Sequence, residues 1–212
     1  MNWIVICFEL IGTVAFALSG GLTGLRKRMD IFGVCVLGLT TATGGGVIRD
    51  ILLGSTPPQT FLSPRNAIIA LSVSILTFLL FAWHRGLNLH HWLFDLLMLL
   101  ADSAGLAIFT VCGVQTAMEA GYQNNLFLVT FVAVMTGVGG GVLRDIFAGD
   151  RPYIFVRHIY ACASILGAVL CAAMWQFTTP EASMSLGFLT VLTVRLCSAK
   201  YHWSLPKLDA VD

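Results

Sequence analysis

Charged residues are scarce in this chain: Asp, Glu, Lys and Arg together make up only 11% of its 212 residues. A typical soluble domain has about 25% charged residues, and a domain of this size still needs a polar exterior. Hydrophobic residues make up 57% of the chain, and the mean hydropathy is +0.85. This composition argues against a soluble enzyme, a disordered chain and a nucleic-acid binder, and it predicts a polytopic membrane protein embedded in a lipid bilayer.

Patterns of a metal, redox or cofactor site are also missing. The six cysteines lie in apolar stretches, and none forms a CxxC pair or lies near a histidine at metal-ligand spacing. No nucleophile–base constellation is present, and the glycine-rich segments lack the βαβ context of a dinucleotide loop. We therefore expect no catalytic residues, no metal site and no cofactor.

Seven stretches are long and apolar enough to cross a bilayer as helices, which takes about 20 residues. The first contains Glu9 and lacks a basic n-region, so we interpret it as a span rather than a cleaved signal peptide. The sequence thus predicts an all-α membrane protein, a single transmembrane domain over 1–212 with a tail at 200–212. The predicted spans are 3–25, 31–53, 65–83, 93–117, 125–148, 154–176 and 183–199.

The basic residues are distributed unevenly between the two sides that these spans define. Three arginines lie within spans and are set aside, and of the remaining nine basic residues only Arg65 lies among the loops of one side. An asymmetry of 8 to 1 predicts a cytoplasmic C-terminus and an external N-terminus. The eight residues on the predicted cytoplasmic side are Arg26, Lys27, Arg28, Arg85, Arg151, Arg157, Lys200 and Lys207.

The chain contains an internal repeat. The segment 44–54 recurs at 139–149 with eight of eleven positions identical, at an offset of 95. Further upstream an offset of 93 aligns Glu9 with Asp102 and Phe16 with Phe109. Residues 3–83 and 93–176 are therefore predicted to be two units of three spans each, with 183–199 as a seventh span. Because three is odd, the second unit enters the membrane inverted, an architecture associated with permeation at the repeat interface.

Each repeat carries a triple glycine in its second span. Glycine costs roughly 1 kcal/mol relative to alanine in a helix, so we expect both helices to loosen or break there and to free carbonyl groups. In a membrane such backbone is tolerated only against protein or a water-filled cavity. The alternative for the glycines alone is close helix packing. The predicted pore-lining residues are Gly44, Gly45, Gly46, Gly139, Gly140 and Gly141.

An arginine followed by an aspartate lies three residues beyond each triplet, as Arg49-Asp50 and Arg144-Asp145. Ionisable residues at membrane depth cost at least ~2.5 kcal/mol each and normally mark a pathway or its gate. Adjacent helix residues point about 100° apart, so we expect each arginine to pair with an acid other than its neighbour.

Glu9 and Asp102 form a second symmetric pair, one in the first span of each repeat. They are expected to line a cation route or to pair with Arg49 and Arg144. The arginines then act either as an electrostatic gate, which we prefer, or as structural partners of buried acids. Arg195 in the last span is expected to extend to the cytoplasmic surface.

Two GGGxxRD copies in a seven-span chain of this length resemble the bacterial branch of the trimeric intracellular cation (TRIC) channel family. The same sequence domain, UPF0126, is also described in bacteria as a glycine transporter. The resemblance covers essentially the whole chain. It implies a homotrimer in the bacterial inner membrane, with a K⁺- and Na⁺-conducting pore in each subunit. It further implies that the second and fifth spans line this pore at their glycines and that Arg49 and Arg144 govern gating.

Two functions from different classes follow. In a monovalent cation channel, carbonyl groups replace part of the ion's hydration shell and acids raise the local cation concentration. In a carrier for glycine or another small zwitterion, opposed helix ends bind the carboxylate and the ammonium group. A membrane scaffold without transport leaves the duplicated charges unexplained.

Overall fold

The computed structural model describes residues 3–83, 91–156 and 159–203, and these fold into nine α-helices without a β-strand. Apolar stretches bounded by turns form the long helices, and one short helix precedes the last helix of each repeat. The helices are α1 (Trp3–Arg26), α2 (Ile31–Leu52), α3 (Gln59–Leu62), α4 (Arg65–Trp83), α5 (His91–Glu119), α6 (Leu126–Phe147), α7 (Tyr153–Val156), α8 (Tyr160–Met174) and α9 (Pro180–Tyr201).

Six of these helices are long and apolar enough to cross a membrane. The all-helical membrane architecture predicted from the sequence is therefore confirmed. The predicted span 154–176 differs, because it contains α7 and the 15-residue helix α8. At 1.5 Å per residue α8 is about 22 Å long, shorter than the roughly 30 Å hydrocarbon core. The count of seven spans stays a prediction, as does the tail, of which 204–212 lie outside the described residues.

The central helices of the two repeats, α2 and α6, are built alike from start to end. The Asp30 side chain caps α2 by accepting a hydrogen bond from the Gly33 backbone N–H at 2.8 Å. The Asn125 side chain caps α6 in the same way by accepting from the Leu128 backbone N–H at 3.0 Å. Both caps satisfy backbone donors that the first helical turn leaves unpaired. Each helix has 22 residues. The repeat is thus expressed in the backbone as well as in the sequence.

The last glycine of each repeated segment ends its helix. Gly54 and Gly149 adopt φ of +74° and +72°, a left-handed conformation that only glycine enters without strain. The next residue in each case donates back to the aspartate carbonyl of the same motif, Ser55 to Asp50 at 2.8 Å and Asp150 to Asp145 at 2.8 Å. This pattern is the Schellman motif.

The helices of one repeat run antiparallel to their equivalents in the other. Helices α1, α2, α5 and α6 pack together at the centre, α4 covers α1 and α2, and α8 covers α5 and α6. Between α2 and α6 the contacts are reciprocal: Gly45 meets Thr136, and Gly140 meets Thr41. Because the residue numbers rise in opposite directions along this contact, the second unit is inverted relative to the first. Helix α9 packs on α5 and α8, outside the repeat.

Ion pairs identify the two ends of the bundle. Lys27 Nζ lies 2.5 Å from Asp150 Oδ1, and Arg26 Nη1 lies 3.3 Å from Asp95 Oδ1. We call this the basic end. Glu9 and Arg65 lie at the opposite end. The assignment of these ends to cytoplasm and exterior remains a prediction, and three basic residues used for it, Arg85, Arg157 and Lys207, lie outside the described residues.

Candidate functional site

The triple glycines do not break their helices. Both α2 and α6 remain α-helical through Gly44–Gly46 and Gly139–Gly141, so the prediction of a broken helix with freed carbonyls was wrong. The physical reason is that close packing in the bundle offsets the low helix propensity of glycine, because tertiary contacts routinely override propensity.

Two glycines of each triplet lie in the contact between α2 and α6. A Cβ at Gly45 would overlap the Thr136 carbonyl oxygen, and a Cβ at Gly140 would overlap the Thr41 carbonyl oxygen. Likewise Gly44 faces Leu143, and Gly139 faces Ile48. The backbone approaches at Gly45 and Gly140 leave no room for a Cβ, whereas at Gly44 and Gly139 a Cβ would meet the ends of flexible side chains. For these four positions the structure places the residues in helix packing.

The third glycine of each triplet points away from this contact. Around Gly46 a Cβ would meet only the Arg49 Nη2 atom, at 3.9 Å. Around Gly141 it would meet the Tyr160 hydroxyl at 2.8 Å and the Arg144 Nη2 atom at 3.8 Å. Each third glycine therefore lies beside the arginine of its own repeat, in open space in the first repeat and against side chains in the second.

Gly46 borders an open cavity of about 500 Å³, which we call the vestibule. Charged, hydroxyl, amide and apolar side chains line this cavity. The lining residues are Glu9, Ala42, Thr43, Gly46, Arg49, Asp50, Ser55, Thr56, Pro57, Gln59, Thr60, Leu62, Ser63, Arg65, Asn66, Phe109 and Thr116. A cavity of this size and polarity accommodates hydrated ions or a small polar solute.

Each arginine of the repeated motif pairs with the aspartate that follows it. Arg49 Nε donates to Asp50 Oδ1 at 2.8 Å, and Arg144 Nε donates to Asp145 Oδ1 at 2.8 Å. The expectation that neighbouring residues cannot pair was wrong. The Cα–Cβ bonds of adjacent helix residues do point about 100° apart. The long arginine side chain nevertheless turns back and brings its guanidinium to the next carboxylate.

The same aspartates also hold the chain that follows each helix. Asp50 Oδ2 accepts from the Gln59 backbone N–H at 2.8 Å, and Asp145 Oδ2 accepts from the Tyr153 backbone N–H at 2.9 Å. Gln59 and Tyr153 are the first residues of the short helices α3 and α7. One carboxylate therefore neutralises an arginine and satisfies a helix N-terminus, where negative charge is favoured.

In the first repeat the remaining charges are partly hydrated. Arg49 has a side-chain exposure of 12%, and Glu9 has 29%. Glu9 pairs with Arg65, whose Nη2 lies 3.3 Å from Glu9 Oε2. The partner of Glu9 is therefore Arg65 in the third span of the repeat, and not Arg49 as one of the two alternatives expected.

In the second repeat the equivalent charges are fully enclosed. The Arg144 side chain has 0% exposure, and its Nη1 donates to Asp102 Oδ1 at 2.6 Å and to Ser19 Oγ at 2.6 Å. Asp102 is the acid that sequence reasoning proposed as a partner of Arg144, and the structure places the two together. The Arg144 guanidinium also lies 5.1 Å from the centre of the Tyr153 ring.

Arg195 joins this cluster, contrary to the prediction that it extends to the cytoplasmic surface. Its side chain is only 3% exposed, its Nη2 lies 3.6 Å from Asp102 Oδ2, and its guanidinium stacks 4.6 Å above the Tyr160 ring. We call Arg144, Asp145, Asp102, Arg195 and Tyr160 the buried cluster. The sequence offers one partial signal: the small residues Ser183, Gly187 and Ser198 share a face of α9 with Arg195, and small residues on one face of a span are typical of helix packing.

Two symmetry-related aromatic rings separate the vestibule from the buried cluster. Phe109 lines the vestibule, and its ring centroid is 5.2 Å from that of Phe16, which is buried. Asp102 lies seven residues before Phe109 on α5, about 10 Å along the helix axis. The order along the molecule is therefore vestibule, aromatic pair, buried cluster and basic end.

A protein-family model described as Glycine transporter matches residues 6–82 and 99–176 of this chain. The two matches cover much of the predicted repeats. Among curated relatives, the UPF0126 inner membrane protein YadS of Escherichia coli K12 is 37% identical over 96% of this chain and 95% of its own length. A UPF0126 membrane protein of Deinococcus radiodurans is 38% identical over 97% of this chain and 91% of its own.

Solved structures of cation channels share the fold. A structure described for conductance through TRIC cation channels has a TM-score of 0.84 and 34% identity, over 100% of both chains. The TRIC trimeric intracellular cation channel orthologue from Rhodobacter sphaeroides has a TM-score of 0.86 and 30% identity, over 95% of this chain and 100% of its own. These neighbours are channels rather than enzymes, and they confirm the resemblance drawn from the GGGxxRD copies.

Proposed function

We propose that this chain conducts K⁺ and Na⁺ through a pore in each subunit, because it belongs to the Glycine transporter (UPF0126) family and has the fold of the TRIC cation channels. The single observation that carries the proposal is the contrast between equivalent charges. Arg49 borders an open vestibule, whereas Arg144 is sealed in the buried cluster. A pathway that is open at one end and closed at the other is what a gated channel requires.

The proposed route enters through the vestibule and passes the aromatic pair before it reaches the buried cluster. Glu9 is the acid on the vestibule wall that meets entering cations, because its side chain is 29% exposed, whereas Asp50 is 4% exposed and paired with Arg49. Phe16 and Phe109 form a hydrophobic constriction, which resists ion passage until it is wetted.

The proposed gate is Arg144 with Asp102. In the closed arrangement the guanidinium occupies the route and repels cations, with Coulomb repulsion stronger there than in water. Opening requires Arg144 to leave Asp102 Oδ1, to which it now donates at 2.6 Å.

We further propose that the functional unit is a homotrimer in the bacterial inner membrane. This proposal is supported by the solved neighbour described as trimeric and by the relative described as an inner membrane protein. The N-terminus is proposed to be external, on the charge asymmetry of the loops.

A carrier for glycine is the second candidate, and one observation favours it besides the family description. The vestibule presents cationic and anionic side chains together, Arg49 and Arg65 beside Glu9 and Asp50. A zwitterion can place its carboxylate against the former and its ammonium group against the latter.

The test is purified protein in liposomes, assayed in parallel for K⁺ flux and for uptake of labelled glycine. We expect K⁺ flux at channel rates and no saturable glycine uptake. Glu9→Gln should lower K⁺ conductance severalfold at low salt, with less effect at high salt where the charge is screened. Glu119→Gln is the matched control, because Glu119 is an acid at the same end of the bundle that borders a different cavity. Saturable glycine uptake without K⁺ current would overturn the channel in favour of the carrier.

A further inference from the structure

Asp102 has two basic neighbours in the buried cluster, and only one of them is hydrogen-bonded to it. Arg144 Nη1 donates to Asp102 Oδ1 at 2.6 Å, whereas Arg195 Nη2 lies 3.6 Å from Asp102 Oδ2. The second distance is beyond hydrogen-bond range but within that of an ion pair. The two oxygens of one carboxylate therefore face two different guanidinium groups.

The hydrogen-bonding capacity between Asp102 and Arg195 is unfilled. Asp102 Oδ2, Arg195 Nε and Arg195 Nη2 are all buried and have no hydrogen-bond partner among the described residues. Buried polar groups without partners are rare and call for an explanation, because each carries a desolvation penalty. Arg195 is kept next to the acid by its stacking on the Tyr160 ring at 4.6 Å.

We propose that Arg195 is an exchange partner, which takes over Asp102 when Arg144 leaves it during opening. This inference rests on the proposed function, since it assigns a role to Arg195 in the same gate. A small rotation of the Arg195 side chain closes the remaining gap to Asp102 Oδ2. The carboxylate then stays paired throughout the transition, so the open state does not contain a bare buried charge, which proteins avoid.

The exchange partner comes from outside the repeat. In the first repeat the equivalent acid, Glu9, is paired with Arg65 from the third span and is partly exposed, so water also stabilises it. Asp102 is enclosed, and its second basic neighbour, Arg195, lies on α9, a helix that belongs to neither repeat. The seventh predicted span therefore has a specific role: it makes the buried gate reversible.

The test is single-channel recording of Arg195→Met beside the wild-type protein. Closed channels keep the Arg144–Asp102 pair, so we expect folded protein with unchanged unitary conductance and an open probability at least tenfold lower. Arg195→Lys restores a cation at this place and should bring the open probability back to within about threefold of wild type. Lys200→Met is the matched control, because it removes a charge from the exposed side of the same helix, and it should change neither quantity.

A second measurement does not depend on conduction. Arg144→Ser removes the ion-pair partner of Asp145 and should lower the melting temperature, but it should still yield folded, assembled protein because Arg195 takes Asp102. Arg144→Ser combined with Arg195→Met should lose assembly and melt at a much lower temperature than the single variant. An unchanged open probability in Arg195→Met, or equal melting temperatures of the single Arg144→Ser and the double variant, would overturn the exchange. Absence of K⁺ current in the wild-type protein would instead refute the proposed function, and the melting comparison would still decide on the exchange.

Discussion

The two repeats carry the same motif in different surroundings. In the first repeat Arg49 and Asp50 form the wall of a cavity of about 500 Å³, and Glu9 is paired with Arg65 near the surface. In the second repeat Arg144, Asp145 and Asp102 are enclosed, and a further arginine from α9 joins them. Two equivalent constellations are thus found at opposite ends of an antiparallel bundle. The aspartates of the motif are equally buried, but Arg49 and Glu9 are 12% and 29% exposed, whereas Arg144 and Asp102 are 0% and 2% exposed.

Burial, and not the motif itself, determines how much each of these ion pairs contributes to the stability of the fold. A carboxylate–guanidinium pair near water contributes little to stability, because solvent screens it and side-chain entropy opposes it. Removal of one partner from an enclosed pair is costly, because it leaves an uncompensated charge in a low dielectric. In the function that we propose, the same residue types therefore border the entrance in one repeat and form a closed gate in the other.

The largest expected effect is that of Asp102→Asn set against Glu9→Gln. Loss of Asp102 leaves Arg144 and Arg195 with Asp145 as the remaining acid of the buried cluster, so we expect a loss of about 3–5 kcal/mol in stability. Loss of Glu9 breaks a partly exposed pair and should cost less than about 1 kcal/mol. Thermal unfolding of both purified variants measures the difference. Equal losses would mean that the two repeats are energetically alike.

A smaller effect separates the packing glycines from the glycine at the vestibule. Gly45→Ala forces a Cβ into the Thr136 carbonyl, and we expect a loss of roughly 1–3 kcal/mol from overpacking. Gly46→Ala meets open space and a flexible arginine, so stability should stay the same or rise by up to about 1 kcal/mol through helix propensity. Unfolding of both variants, with K⁺ flux of Gly46→Ala as a second readout, checks this. A large loss of stability in Gly46→Ala would show that all three glycines serve packing.

The smallest effect concerns the ion pairs at the basic end. Lys27 and Asp150 are partly exposed, so Lys27→Met should change stability by less than about 1 kcal/mol. Arg26→Met, which breaks the exposed pair with Asp95, is the parallel case and should behave alike. Thermal unfolding at low and high salt tests both. A loss comparable to that of Asp102→Asn would contradict the conclusion that burial sets the contribution of each pair.

The helical membrane fold and the repeated arginine–aspartate motif could be predicted from the sequence, because both depend on local patterns. Apolar run lengths predicted the long helices, and the repeated segment predicted that Arg49 and Arg144 are equivalent. The pairing of Asp102 with Arg144 was one of two alternatives that the sequence left open, the other being that Asp102 lines a cation route.

The remaining features depend on packing that a single sequence does not reveal. The glycine triplets were expected to break their helices, yet Gly45 and Gly140 allow two continuous helices to approach closely. Arg195 was expected to extend to the cytoplasmic surface, because a long arginine side chain within a span can place its charged end at the membrane surface. Its enclosure depends on how α9 packs against α5 and α8, and no local pattern determines that contact alone.

The vestibule is open at the surface, whereas the equivalent place in the second repeat is closed. Thr43 borders the vestibule, and its equivalent at an offset of 95, Val138, is buried. The direct test is to introduce Thr43→Cys and Val138→Cys separately, with the native cysteines replaced, and to measure modification rates by a charged, water-soluble thiol reagent present on both sides of proteoliposomes. We predict that the cysteine at 43 reacts at least a hundredfold faster than the cysteine at 138. Equal rates at the two positions would contradict the account.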